Sequence, residues 1–289
     1  MKKTFFTVLC MMCIGLSACT SDEPEAATAN IEMKADTTEI ESVTISFDFP
    51  EVSITPMTRG SISEAASHLD VWVYEDGSDV EAVHQSSSSV GFGSVSLNLN
   101  KTKTYTLYAL AHKSTDVCTL SDGIISFPDD KPKESFFYTT TFSPATTTSI
   151  SAEMNRICGK FTMTTTDAVP ENVDHVQFII KDTGTRYDVS GSPTNIIDRI
   201  IDFANLTRKN DGTISFSFNI LSTSDAATNF EITATAYASD NSVIEKKTFT
   251  DVPIRNSYRT TYSGYFFTTE GMTMTFTASD WNDYDTINF

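Results

Sequence analysis

Few residues of this chain have the type and spacing that chemistry requires, and the clearest of them is Cys19. It follows a basic pair, Lys2 and Lys3, and an apolar run over residues 5–16, and it closes the tetrapeptide Leu16-Ser17-Ala18-Cys19. A basic start, an apolar stretch of about a dozen residues and a small-residue cleavage site form a secretory signal that is too short to span a bilayer as a permanent helix. The thiol of Cys19 would then lie at the new N-terminus, where it can be acylated.

The tetrapeptide resembles the lipobox of bacterial lipoproteins, in which the cysteine thiol is diacylated. The resemblance implies a signal peptide over residues 1–18, a lipid such as palmitate on Cys19, and a lipidated tether over residues 19–41. Two acyl chains give stable anchoring, since each buried methylene contributes about 0.8 kcal/mol. Acidic residues close behind Cys19, beginning with Asp22 and Glu23, resemble the surface-export signal of Bacteroidales lipoproteins, which implies a surface-exposed position on the cell outer membrane. An ordinary signal peptide and a merely soluble linker are the alternatives.

The composition restricts the partners of the chain. Its 289 residues carry a formal net charge of −18 at pH 7, which repels nucleic acid phosphates, so we expect no nucleic acid partner. Of the five cysteines, Cys10 and Cys13 leave with the signal. Cys118 and Cys158 can form one disulfide in an oxidising compartment, but each has an apolar neighbour, and a buried free thiol fits equally well.

The hydrophobic pattern of the mature chain has a period of two, which predicts β-strands with one buried face and one polar face. Asp-Gly pairs at residues 76–77, 122–123 and 211–212 add turn signals between the strands. Only residues 196–204 have a pattern that allows a helical turn. The alternating apolar positions include Val43, Ile45, Phe47 and Phe49; Val95, Leu97 and Leu99; Val176, Phe178 and Ile180; Ile214, Phe216, Phe218 and Ile220; and Met272, Met274 and Phe276.

A domain boundary is predicted near Asn155 and Arg156. Before it, residues 150–154 alternate as a closing strand, and a new strand opens directly after it. The two parts, residues 42–155 and 156–289, each have the ordinary size of a β-sandwich. We therefore predict an all-β fold of two tandem β-sandwiches, the second of which includes a terminal strand.

Other residues that can take part in catalysis or metal binding lack partners in the sequence. Asp182-Thr183-Gly184 is the triplet of aspartic proteases, but it occurs once, whereas the shared-proton dyad of those enzymes needs two carboxylates. The histidines, His68, His84, His112 and His175, are far apart, with no i, i+4 pair and no nearby cysteine. A zinc site is therefore not expected. The sequence predicts no enzyme, no catalytic residue, no metal site and no cofactor.

Three segments resemble the fimbrillin superfamily of Bacteroidales, which includes the stalk, anchor and tip subunits of type V pili. They are MNRICGKF at residues 154–161, DAVPENV at residues 167–173 and VPIRNSYRTTYSG at residues 252–264, and a tryptophan, Trp281, follows near the C-terminus. The resemblance implies two tandem transthyretin-like, Greek-key β-sandwiches. It also implies a structural role in a surface fimbrium, without a cofactor or a catalytic site.

The same resemblance implies a processing step in the N-terminal part. In stalk and tip subunits an arginine-specific protease cuts a loop and releases the lipid together with the first strand, and the vacated groove accepts a strand from a neighbouring subunit. Here Arg59, followed by Gly60, is the only arginine before Arg156, so cleavage after it would remove the first strand. Anchor subunits keep their lipid, and Arg59 is then an ordinary loop residue. The displaced strand would carry Val43, Ile45, Phe47 and Phe49.

The C-terminal segment supplies candidate donor residues. Pilins of this group use C-terminal strands as donors to the next subunit, and buried aromatic side chains commonly dominate interface energies. Trp281 can instead cap its own sandwich. The candidate donor residues are Trp281, Tyr284, Ile287 and Phe289.

Together these features predict a structural subunit or membrane anchor of a surface fimbrium (type V pilus) that assembles by β-strand exchange and supports adhesion. The expected partners are other fimbrial subunits, the outer membrane through the lipid on Cys19, and host or bacterial surface ligands. The alternative is a surface glycan-binding lipoprotein, which would expose clustered aromatic side chains. Only Trp72 and Trp281 are tryptophans, and both lie next to strand or terminal segments, which favours the fimbrial interpretation.

Overall fold

The computed structural model describes residues 40–48, 65–223, 226–268 and 275–280. The predicted all-β fold is confirmed, since these residues form strands joined by turns, with one 3-10 turn at Pro128–Asp130. The first strands are β1 (Ile40–Asp48), β2 (His68–Glu75), β3 (Ser78–Ser86), β4 (Ser94–Asn100), β5 (Tyr105–His112), β6 (Thr119–Ser121), β7 (Ile124–Ser126), β8 (Ser135–Phe142), β9 (Ser149–Glu153) and β10 (Asn155–Arg156). The others are β11 (Cys158–Thr165), β12 (His175–Asp188), β13 (Ser192–Phe203), β14 (Ser215–Leu221), β15 (Thr228–Tyr237), β16 (Val243–Ile254), β17 (Tyr258–Gly264) and β18 (Thr275–Asp280).

The first β-sandwich consists of a three-stranded sheet, in the order β4-β1-β9, and a five-stranded sheet, in the order β10-β8-β5-β2-β3. The inward faces of the two sheets form one apolar core. Alternating apolar residues produce this arrangement because successive side chains of a strand point to opposite faces. The core includes Val43, Ile45 and Phe47 of β1, Leu69, Val71 and Val73 of β2, Val95, Leu97 and Leu99 of β4, and Phe136 and Phe142 of β8.

The second β-sandwich packs a sheet in the order β14-β11-β17-β18 against a sheet in the order β16-β15-β12-β7-β6, in which β13 also pairs with β12. Its core is rich in phenylalanine. The ring of Phe161 lies 5.1 Å from that of Phe218, and the ring of Phe178 lies 5.3 Å from that of Phe216, measured between centroids. Tilted aromatic pairs at such distances add stability beyond the area that they bury.

The hairpin β6–β7 connects the two parts of the chain. It lies in sequence between β5 and β8 of the first sandwich, but Arg186, Tyr187 and Asp188 of β12 pair with its second strand, β7. The hairpin therefore belongs to a sheet of the second sandwich, and the described residues lie in one compact unit. The division into domains at residues 42–155 and 156–289 stays a prediction.

A third apolar cluster fills the space between the sandwiches and contains Cys118 and Cys158. Both cysteines are buried free thiols, so the disulfide that the sequence allows is not formed. Burial raises the pKa of the Cys158 thiol to about 12, and it also raises the pKa of the Cys118 thiol, with the Asp70 and Asp116 carboxylates adding to the shift. The cluster is formed by Trp72, Leu110, Cys118, Ile125, Phe127, Phe137, Ile157, Cys158, Tyr187 and Leu221.

The helical turn predicted for residues 196–204 is wrong, because this segment belongs to strand β13. It pairs antiparallel with β12 from Ser192 to Phe203, and a bulge in β12 at Asp182 interrupts the register. The consecutive isoleucines fit a strand well, since β-branched side chains favour the pleated surface. Only Ile201 and Phe203 pack on the core, while Ile196, Ile197 and Ile200 are exposed. The apolar residues of this strand therefore do not follow a period of two, and their spacing resembles that of a helix.

The first two Asp-Gly signals are confirmed as tight hairpin turns. Asp76 and Gly77 join β2 to β3, and Asp122 and Gly123 join β6 to β7, with positive φ at all four residues. Positive φ at both central residues is typical of the two-residue turn that matches the twist of paired strands. The third signal, at residues 211–212, is a turn within the loop between β13 and β14, where the Gly212 amide donates to the Lys209 carbonyl.

Close contacts connect the three sequence segments that resemble the fimbrillin superfamily. A Cβ atom on Gly159 would lie 2.5 Å from the carbonyl oxygen of Arg255, so only glycine allows the segment at 154–161 to approach the segment at 252–264. The Asp167 carboxylate accepts backbone hydrogen bonds from Phe266 at 2.9 Å, from Phe267 at 2.6 Å and from Thr268 at 2.9 Å. Asp167 therefore fixes the chain that leaves β17.

Replacing Asp167 tests this anchoring role. Because Asp167→Ala removes the acceptor for three backbone amides, we expect the free energy of unfolding to fall by about 2 kcal/mol or more. The matched control is Asp251→Asn, at an exposed position with positive φ that asparagine accepts. Urea unfolding followed by circular dichroism measures both changes, and equal midpoints for the two variants would contradict the role of Asp167.

The buried thiols give a second prediction. Since their pKa values are raised and their side chains are buried, we expect Cys118 and Cys158 to resist alkylation at about pH 8 in the folded protein. Iodoacetamide treatment with and without denaturant, followed by peptide mass spectrometry, measures this. Rapid modification of either cysteine without denaturant would contradict the burial described above.

Candidate functional site

Strand β1 is the central strand of the smaller sheet in the first sandwich, although it comes first among the described strands. It pairs antiparallel with β4 from Ile40–Asn100 to Ser46–Ser94, and parallel with β9 from Thr44–Ser149 to Asp48–Glu153. One face of the strand, Val43, Ile45 and Phe47, is buried in the core, and the other is exposed. The three candidate first-strand residues that are described thus lie on one buried face.

The groove that holds β1 has β4 as one wall, which pairs with β1 antiparallel, and β9 as the other, which pairs with β1 in parallel. Backbone amides of β1 donate to carbonyls near both neighbours, from Thr44 to Thr148 and from Phe47 to Gly93, at 3.0 Å in each case. Without β1, strands β4 and β9 would be separated by about two strand spacings, or about 9.5 Å. Each would then present an edge of unpaired backbone groups, which is a template for another strand.

The core below the groove sets the side-chain requirement for any replacement strand. Leu97 and Leu99 of β4 and Ala152 of β9 flank the buried face of β1, and Leu107 lies in the same cluster. An incoming strand must therefore place large apolar residues at every second position, as β1 does. The residues named here that line the groove are apolar and supply no nucleophile or general base.

Several residues proposed from the sequence lie outside the described residues, and their roles stay predictions. They are Cys19, Phe49, Arg59, Gly60, Trp281, Tyr284, Ile287 and Phe289. In chain order, residues 49–64 separate β1 from the next described residue, so a cut after Arg59 would separate β1 covalently from the rest of the protein.

A buried polar cluster on the outer face of β2 is the strongest chemical feature that the sequence did not predict. The Asp70 carboxylate is fully buried and accepts a hydrogen bond from the Cys118 backbone amide at 2.7 Å. Ring nitrogens of two histidines lie within hydrogen-bond distance, the Nδ1 of His84 at 2.9 Å and the Nε2 of His112 at 3.0 Å. The ring of His68 stacks on that of His112 at 5.3 Å between centroids.

Three of the four histidines, which are far apart in the sequence, are thus close together in the fold. His68, His84 and His112 are brought together because β2 lies between β3 and β5 in the sheet. His112 pairs with His68 across β2 and β5, and His84 pairs with Asp70 across β2 and β3. Cross-strand register is a tertiary property, which explains why spacing along the chain did not indicate this cluster.

The geometry of this cluster favours a hydrogen-bond network over a metal centre. Ligand atoms of Asp70, His112 and Cys118 lie within 4.8 Å of one another, close enough for one ion. However, the Ser114 amide donates to the Nδ1 of His112 at 3.2 Å, so the ring proton is on Nε2, where it is donated to Asp70. In this arrangement the Nε2–H of His112 is directed at Asp70 and the Nδ1 is already an acceptor, so neither ring nitrogen is available to a metal ion.

Asp182, in the triplet typical of aspartic proteases, is exposed at the bulge of β12. Its backbone amide donates to the Asp198 carboxylate at 3.3 Å, and the neighbouring Lys181 forms an ion pair with Asp198. A positive φ at Asp182 accommodates the bulge. The triplet therefore has a structural explanation, and we assign no catalytic role to it.

The fold is similar to those of solved structures from Bacteroides. A proposed adhesin from Bacteroides thetaiotaomicron VPI-5482 is 9% identical with a TM-score of 0.53, and the match covers 85% of this chain and 98% of that one. A proposed adhesin from Bacteroides ovatus is 9% identical with a TM-score of 0.52, covering 82% and 95%. A protein from B. thetaiotaomicron described as proposed polysaccharide-binding (DUF1812) is 11% identical with a TM-score of 0.50, covering 77% and 91%. At these identities the similarity shows the fold alone.

Three further findings concern the sequence and the helices. No curated protein matches the chain. Within the described residues, no helix has the length and apolar character needed to cross a membrane. A protein-family model described as a family of unknown function (DUF6562) matches residues 36–286. Because this match covers both sandwiches, the chain belongs to the DUF6562 family.

Proposed function

We propose that this protein is a surface-displayed subunit or membrane anchor of a fimbrium, and that it acts through the groove occupied by β1. The observation that carries the proposal is the central position of a strand that the chain can lose by a single cut. β1 contributes Val43, Ile45 and Phe47 to the core, yet it is joined to the rest of the protein only through residues 49–64. A strand from a neighbouring subunit can take its place by β-augmentation.

The sequence and the fold each support a role in adhesion. The lipobox at residues 16–19 and the Arg59-Gly60 pair provide for export, lipid anchoring and processing, as in the fimbrillin superfamily. The solved structures with a similar fold include proposed adhesins from Bacteroides. The central position of β1 between β4 and β9, with one face buried in the core, supports a structural role for this part of the protein.

The lipid and the C-terminal segment complete the proposed assembly cycle. Before processing, the diacylated Cys19 holds the subunit at the outer membrane, and β1 keeps the groove filled. After cleavage at Arg59, the groove accepts a donor strand, for which Trp281, Tyr284, Ile287 and Phe289 of another copy are the candidates. If Arg59 is not cleaved, the protein stays at the membrane as an anchor.

The N-terminus of the protein at the native cell surface distinguishes the two roles. For a stalk or tip subunit we expect a chain that begins at Gly60 and lacks lipid, since the protease removes residues 19–59. For an anchor we expect diacylated Cys19 at the N-terminus. Intact mass measurement and N-terminal sequencing check this, and a chain that starts at Ala18 or earlier without lipid would contradict both roles.

Retention of β1 after cleavage tests the groove itself. In the absence of a donor strand, we expect the N-terminal fragment to stay bound after an arginine-specific protease cuts at Arg59, because the apolar face of β1 is buried. Ile45→Ala removes buried contacts worth about 2–5 kcal/mol, so this fragment should dissociate much faster. The control is Thr44→Ala on the exposed face of the same strand. Native mass spectrometry over time measures retention.

Equal retention of the Ile45→Ala and Thr44→Ala fragments would contradict the groove as the site of strand exchange. Faster loss of the Ile45→Ala fragment should also accompany faster uptake of a synthetic donor peptide with the sequence of residues 275–289. An uptake rate that does not depend on loss of β1 would mean that the peptide binds at another site.

A further inference from the structure

A cleft between the two sandwiches has the form of a ligand site that is separate from the β1 groove. It has a volume of about 660 Å³, and it lies where β8 and the end of β9 meet two turns of the second sandwich. One turn joins β12 to β13 at residues 189–191, and the other joins β16 to β17 at residues 255–257. Volumes of this size are typical of small-molecule sites.

Asn256 at the base of the cleft has an unused hydrogen-bond acceptor. The residue is only 9% exposed, and among the described residues no group donates to its Oδ1. Buried polar atoms nearly always have a partner, so an unused acceptor beside a cleft is unusual. A ligand that donates a hydrogen bond, after a small rotation of the amide, would satisfy it.

The backbone around Asn256 is held in place by contacts with other strands. Its amide donates to the Thr223 carbonyl at 3.1 Å, and the Ser257 amide donates to the Cys158 carbonyl at 3.1 Å. Ser257 has a φ of 67°, in the left-handed region that residues other than glycine adopt rarely. Such backbone positions tend to occur at functional sites, where the surrounding structure enforces them.

The lining supplies both donors and acceptors of hydrogen bonds. Burial raises the pKa of Tyr187 to about 12, with a contribution from Asp188, so its hydroxyl keeps its proton at neutral pH. Ser190 at the mouth and Glu153 at the end of β9 are exposed and provide a hydroxyl and a carboxylate. Arg255, whose guanidinium lies 4.7 Å from the ring centroid of Tyr258, provides N–H donors.

The charge of the lining does not favour a cationic ligand. Two arginines, Arg156 and Arg255, line the cleft together with the carboxylate of Glu153. Arg156 forms an ion pair with Glu134 at 3.1 Å, which compensates its charge. The remaining charges, on Arg255 and Glu153, have opposite signs. The cleft is therefore close to neutral, although the chain has a net charge of −18. The aromatic side chains of Phe137 and Tyr187, whose ring centroids are 5.4 Å apart, also line the cleft.

We propose that this cleft binds a saccharide. Sugar hydroxyls both donate and accept hydrogen bonds, which suits a lining that mixes an unused amide oxygen, hydroxyls, a carboxylate and a guanidinium. Phe137 and Tyr187 add apolar surface to the same lining. The residues of the site, at 137–157, 187–191 and 255–257, are all retained when the chain begins at Gly60.

A glycan array tests the proposal with the full mature chain. The fluorescently labelled protein is applied to an array of neutral and uronic-acid-containing oligosaccharides, and saturation-transfer NMR with each bound oligosaccharide confirms contact in solution. We expect binding of at least one oligosaccharide. Binding of neutral sugars alone would assign hydroxyl recognition, and binding of uronic acids alone would add Arg255 as the carboxylate partner. No binding to any oligosaccharide overturns the proposal.

Variants locate the binding in the cleft. Asn256→Asp replaces the amide with an isosteric acid, and Ser190→Leu adds bulk at the exposed mouth while the backbone amide of residue 190 keeps its bond to Asp188. We expect each to weaken binding by about tenfold or more, as for the loss of a buried hydrogen bond. The matched controls are Asn241→Asp and Ser88→Leu at exposed turns outside the cleft. Unchanged affinity in Ser190→Leu overturns the assignment even if Asn256→Asp fails to fold.

Discussion

The first sandwich depends on the burial of one face of β1. Val43, Ile45 and Phe47 reach the centre of the core, and the strand itself joins β4 to β9. Neither neighbour can pair with the other while β1 lies between them, so the smaller sheet exists only with a strand in this position. The core of the first sandwich therefore needs a strand with large apolar residues at every second position between β4 and β9.

Two buried carboxylates hold distant segments of the chain together by accepting backbone hydrogen bonds. Asp70 accepts from the amide of Cys118, 48 residues away, and Asp167 accepts from three amides about 100 residues away. Hydrogen bonds to an ionised acceptor are stronger than neutral ones, and losing the acceptor leaves buried donors unsatisfied. These contacts fix loops that no strand pairing covers. Asp70 secures the segment leading to the β6–β7 hairpin, and Asp167 secures the chain after β17.

The sequence predicted the features that depend on local patterns. The period of two in β1, β4, β12 and β14 indicated strands, and the pairs Asp76-Gly77 and Asp122-Gly123 indicated hairpins, because side-chain alternation and positive φ are properties of neighbouring residues. It did not predict that β6–β7 would pair with β12, since that depends on where the hairpin packs. For the same reason, spacing did not reveal the cluster around Asp70. The isoleucines of β13 predicted a helical turn because an edge strand beside a bulge buries few of its side chains and need not alternate between apolar and polar residues.

Strand β9 links the two proposed sites physically. It forms one wall of the β1 groove, where Asp48 is the register partner of Glu153, and Glu153 in turn lines the cleft between the sandwiches. The chain continues through Asn155 and Arg156 into the cluster that separates the two cores. Any change in how the groove is filled must therefore be accommodated by a strand whose far end borders the cleft. A shift of β9 by one residue would turn its side chains to the opposite face, so the buried Ala152 resists such a shift. A strand that filled the proposed groove in the register of β1 would therefore leave the end of β9 at the cleft unchanged.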